Sequence, residues 1–167
     1  MLGVAGWIGA LFLLGFVGFA FQSIFNNESM FLVIGALCCG GAYAIFAAGR
    51  NDLGHQFGLA VSLAGQVLFI VGLHEGAGLN RESPLFFFAV AIFEAILVVT
   101  LNNFVNRVWS SFGAALAFAY GLNILGLYGT GTALIGIAAA LLWLSEDTCA
   151  ARGTFWRAIG WGLVFAF

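Results

Sequence analysis

Long apolar runs separated by short polar breaks follow one another along the whole chain. A bilayer core of about 30 Å needs roughly 20 apolar residues at a rise of about 1.5 Å each. Measured against that length, the pattern predicts spans at 2–25, 30–49, 55–73, 84–101, 108–128 and 130–144, with a last run at 154–167. The breaks hold Asn26, Asn27, Glu28 and Ser29, then Arg50, Asn51 and Asp52, then the longer stretch 74–83. Pro84 follows Ser83, so a Ser83 cap with proline in the first helical turn is expected. The run 130–144 is short for a full crossing, and 154–167 is expected to be an incomplete seventh span. The first run has no positive leading segment and is too long for a signal peptide, so it is expected to be the first span.

Each run is apolar on every side, without the period-two alternation of a membrane strand. Backbone groups in lipid must be satisfied within the segment, which a helix does. The expected fold is therefore an all-α polytopic transmembrane bundle, one domain over residues 1–167, with about six full spans and a truncated seventh.

Composition agrees with that solvent. The chain is 63% hydrophobic and 7% charged, against roughly 25% charged in an ordinary soluble domain. Its mean hydropathy is +1.09. There is no lysine and no basic patch, which argues against nucleic acid as a partner. The expected partners are the lipid bilayer, and other membrane helices or a second copy of the chain. Arg50, Arg107, Arg152 and Arg157 follow even-numbered spans, whereas odd-numbered exits carry Arg81. Positive charge stays inside, so the N-terminus is expected on the cytoplasmic side of a cytoplasmic (inner) membrane.

Small residues four apart let helices approach closely in lipid. Ala36, Gly40, Ala44 and Ala48 form such a ridge, and Gly54 with Gly58 repeats the spacing. Glu94 lies near the middle of its span, where a charge costs about 2.5–3.5 kcal/mol on insertion scales. It is expected to face the bundle interior. Gln66 and Asn123 are also deep in their runs, so the three form a candidate polar cluster: a proton or cation site, or interhelical glue. His74 and Glu75 adjoin but point about 100° apart on a helix, with no third ligand. Trp7, Trp109, Trp143, Trp156, Trp161 and Tyr128 mostly fall near span ends, the pattern of an interfacial aromatic belt. Cys38, Cys39 and Cys149 have neither disulfide-framework nor zinc spacing. No phosphate loop, nucleophile elbow or zinc-protease motif occurs. Neither an enzyme, nor a cofactor, nor a metal site is expected.

The stretches GWIGALFLLGFVGF, QFGLAVSLAGQVLFIVGLHE and FEAILVVTLNNFVNRVWSSFGAALAFAYGLNILG together resemble a bacterial polytopic membrane family catalogued only as a domain of unknown function. The resemblance covers most of the chain and implies many short-looped spans. Members of that family are typically longer, which implies that this chain covers part of the family length. The family brings no established activity and no site residues. Two function classes remain: a non-catalytic membrane scaffold or subunit packing against partner helices, or a transporter-like or proton-coupled protein using Glu94, Gln66 and Asn123.

Overall fold

The computed structural model describes residue 15 and residues 29–48, 52–145 and 153–167. The expected first span, 2–25, lies outside the described residues apart from Gly15. Six α-helices and no strand occur among the described residues: α1 (Ser29–Ala48), α2 (Asp52–Glu75), α3 (Pro84–Thr100), α4 (Phe104–Ile124), α5 (Thr130–Leu144) and α6 (Gly153–Ala166). The fold is all-α. By length and composition, α1 and α2 can cross a membrane, while α3 and α5 are apolar but shorter. The chain divides into two compact units, Met1–Leu79 and Asn80–Phe167.

The first unit contains the antiparallel pair α1 and α2. Its seam is made of small residues at helical spacing. Gly35, Cys39, Ala42 and Phe46 are buried on α1, and Gly58, Ser62, Gly65 and Gly72 on α2. The spacing alternates between four and three residues, or spans both as seven, which keeps one stripe facing the partner. A Cβ on Gly35 would stand 2.5 Å from the Phe69 backbone nitrogen, and one on Gly72 would collide with that of Leu32. The two backbones touch, and only glycine fits.

The ridge expected from the sequence is not this seam. Ala36, Gly40, Ala44 and Ala48 are all exposed, and a Cβ on Gly40 would meet nothing within 4 Å. Of the other two packing candidates, Gly54 is half-buried, while Gly58 is buried against the Phe46 ring and Ile45.

The second unit builds α3, α5 and α6 around α4. Ser83 caps α3 by accepting from the Leu85 N–H at 3.3 Å, and Pro84 opens the helix where its missing N–H costs nothing. Asn103 caps α4 by accepting from the Asn106 N–H at 3.0 Å. A tight turn leads to α5, with Gly126 and Gly129 at φ of 82° and 76°, where a side chain would be strained. The α4 helix runs antiparallel to α3: Phe88 packs on Gly121, while the Arg107 Nε donates to the Val98 carbonyl at 3.1 Å. It runs alongside α6 in the same direction, with Arg107 over the Phe155 ring and Ser111 against Gly162.

Candidate functional site

The three polar candidates fall into both units. Gln66 belongs to the first. Its side chain is 2% exposed, and its Nε2 donates to the Ser62 hydroxyl, one turn earlier, at 3.2 Å. Ser62 is fully buried, and its carbonyl accepts a long contact from the Cys39 thiol at 3.9 Å. Gln66, Ser62 and Cys39 thus form a polar thread through the α1–α2 seam. Such bonds hold helices together where no water competes.

Glu94 and Asn123 belong to the second unit. Glu94 is 4% exposed and sits in the buried stripe of α3 with Phe86, Val90 and Leu97. This stripe packs on α4, where the Ser110 hydroxyl hydrogen-bonds the carboxyl. A Cβ on Gly113 would stand 3.5 Å from the carboxyl carbon, in ordinary van der Waals contact, so the α4 backbone passes close beside the carboxyl. Among the described residues the second oxygen, Oε2, has no hydrogen-bond partner. The inward orientation expected of Glu94 is therefore present.

Asn123 does not join it. It is half-buried in the last turn of α4, and from Gly113 to Asn123 the helix rises about 15 Å at 1.5 Å per residue. The partner that does reach Glu94 is Ser110, which the sequence reading did not single out. A signal for it exists: Glu94 and Ser110 stand at similar distances on either side of the Asn102–Asn103 turn, so a helical hairpin brings them level.

A second feature of the same unit is an open groove of about 790 Å³. It is bounded by α3, α4, α5 and α6, and its lining is rich in alanine. Phe88, Ile92 and Val98 line it from α3, Ser111 and Phe118 from α4, and Leu134 from α5. Ser111 is the polar residue of the lining, and its hydroxyl donates to the Val108 carbonyl at 3.0 Å. Glu94 does not line the groove; it faces the α3–α4 seam.

His74 Nδ1 donates to the Leu79 carbonyl at 2.9 Å, and its Nε2 lies 3.7 Å from the Glu75 carboxylate. Among the described residues no group of three metal-ligating side chains gathers there or elsewhere.

These features define an all-α protein built from apolar helices, with two of them long enough to cross a bilayer. The chain belongs to the family described as Domain of unknown function (DUF4401), which it matches over residues 1–167. No curated protein matches the chain, and no solved structure does.

Proposed function

We propose that the chain is a multi-pass protein of the cytoplasmic (inner) membrane, with its N-terminus on the cytoplasmic side, acting as a non-catalytic scaffold or subunit that packs against partner helices. The observation that carries the reading is the outer surface of the helices. Leu37, Val67, Ile92 and Ile137 are more than half exposed at mid-helix. Water would penalise that surface, whereas acyl chains match it. In the second unit Trp109, Trp143 and Trp156 are exposed at one end, where Arg107 and Arg157 also lie. Tryptophan and arginine at one level mark an interface with headgroups. On this reading α3, α5 and α6 also belong to the bilayer, their shorter lengths met by local thinning. The exposed Ala36, Gly40, Ala44 and Ala48 ridge is then a face left open for another helix.

A transporter-like role is the second reading, favoured by Glu94 Oε2, which has no hydrogen-bond partner among the described residues. Against it, the carboxyl is enclosed in a helix seam beside Gly113 and stands outside the groove.

One preparation tests both. The chain is expected to stay in the membrane pellet after alkaline carbonate, and reconstituted Glu94→Gln is expected to leave proton permeability equal to that of the unmodified protein. Release by carbonate would sink the membrane reading. Proton flux lost specifically in Glu94→Gln would replace the scaffold by the transporter.

A further inference from the structure

The groove of the second unit has a length, a lining and a charge that together select one kind of occupant. From Phe88 to Val98 its α3 wall rises about 15 Å at 1.5 Å per residue. That is half of a bilayer core of roughly 30 Å, the depth of one acyl chain in one leaflet. The lining is carbon apart from Ser111, whose hydroxyl is already donated within its own helix. A ligand seated there needs no polar group along this length.

Polarity enters at one end. Ser111, Ala114 and Phe118 face the groove from α4. Arg107 precedes them by four, seven and eleven residues, so it continues the same face of the helix. Arg107 is fixed in place: Nε donates to the carbonyl of Val98, itself a groove residue, and the guanidinium lies 4.9 Å from the centre of the Phe155 ring. A guanidinium carries five N–H donors in a planar fork suited to phosphate. Among the described residues that hydrogen bond uses Nε alone, and Arg107 lies at the same end of the unit as the exposed Trp109 and Trp156.

We propose that this groove binds one acyl chain of an anionic phospholipid, with the headgroup phosphate held by Arg107. The inference rests on the membrane reading above. The apolar wall takes the chain from the interface towards the midplane, and the guanidinium supplies selectivity for negative charge. Basic residues at the mouth of a cleft between membrane helices recognise anionic headgroups in this way.

The test is native mass spectrometry of the full chain released from detergent, titrated with palmitoyl-oleoyl phosphatidylglycerol or phosphatidylcholine. One phosphatidylglycerol is expected to bind about fivefold more tightly than phosphatidylcholine, the effect of a single arginine near a headgroup. Arg107→Gln should abolish that preference, and Arg107→Lys should keep most of it. Ala114→Phe, which fills the groove, should weaken both lipids while leaving the helical circular dichroism unchanged. Equal binding of the two lipids, or a preference that survives Arg107→Gln, overturns the proposal. So does a co-purifying polypeptide, instead of lipid, that Ala114→Phe releases. A chain retained in carbonate-washed membranes but without this selectivity loses the lipid site alone; a chain that carbonate extracts loses the membrane reading itself.

Discussion

Between α1 and α2 the two backbones meet directly, whereas between α3 and α4 a carboxyl stands in the seam. The first contact is set by Gly35, Gly58, Gly65 and Gly72, whose missing side chains leave room for the neighbouring chain and no more. The second is set by Glu94, held by Ser110 and accommodated beside Gly113. If the solvent is lipid, apolar burial favours neither arrangement over the separated helices, because acyl chains are as apolar as leucine. What remains is close packing and hydrogen bonding, and the two units weight these differently. Close packing tolerates no added atom on its contact face. A polar seam tolerates replacement of its polar group, because each such bond contributes little.

The largest effect should come from adding bulk where the backbones touch. A Cβ on Gly35 would stand 2.5 Å from the Phe69 nitrogen and 2.8 Å from both the Gly65 carbonyl oxygen and the Phe69 Cα. None of these atoms can swing away as a side chain would. Overpacking of a core costs typically 1–3 kcal/mol and more where the neighbour is rigid, so Gly35→Leu is expected to cost about 3 kcal/mol or more. Thiol labelling reads this out, because Cys39 is buried in the seam. In a background with Cys38 and Cys149 replaced by serine, Cys39 should change from protected to rapidly modified by maleimide. A Cys39 that stays protected in Gly35→Leu would mean that the hairpin can repack, and the contrast between the units would lose its first term.

Replacing the polar group of the other seam should do far less. Glu94→Leu removes the bond to Ser110 but keeps comparable volume in the stripe formed by Phe86, Val90 and Leu97. Interhelical hydrogen bonds in membrane proteins average about 0.6 kcal/mol and reach about 1.7 kcal/mol. A loss near the lower figure is expected in denaturant titration of the purified chain in micelles. A loss above about 2 kcal/mol would show that the carboxyl does more than join two helices, and that the two seams differ less than their packing suggests.

What the sequence discloses follows from how far a single residue type constrains its surroundings. The Ser83–Pro84 cap is legible because a side-chain acceptor and a residue without an N–H can occupy few other places. Glu94 is legible as inward-facing because an ionisable group in an apolar run has nowhere else to go. The face of α1 is not legible in the same way. In a helix apolar all round, the outer surface needs no charge, so the polar side that marks the exterior of a soluble helix is absent. Gly35, Cys39, Ala42 and Phe46 therefore look no more like a contact than Ala36, Gly40, Ala44 and Ala48 do. The seven-residue recurrence of Gly58, Gly65 and Gly72 is the better guide, because it persists over three positions of one helix. The groove is hidden for a related reason: alanines that line open space and alanines that let helices touch are the same letters.

The smallest effect on the fold should come from the exposed ridge, and this makes it the sharpest probe of what the ridge is for. A Cβ on Gly40 would meet nothing within 4 Å, so Gly40→Leu should leave the α1–α2 seam undisturbed, with a stability change within about 0.5 kcal/mol as for an ordinary surface site. Glycine also has poor helix propensity, and its replacement adds slightly to helix stability. The partner-packing reading predicts a separation of the two properties. Gly35→Leu should lose the hairpin and any assembly together, whereas Gly40→Leu should keep Cys39 protected and still shift the chain to smaller species on native gels in mild detergent. If Gly40→Leu runs with the unmodified protein and retains every co-purifying chain, the ridge is a lipid-facing surface and the scaffold reading loses its proposed contact face.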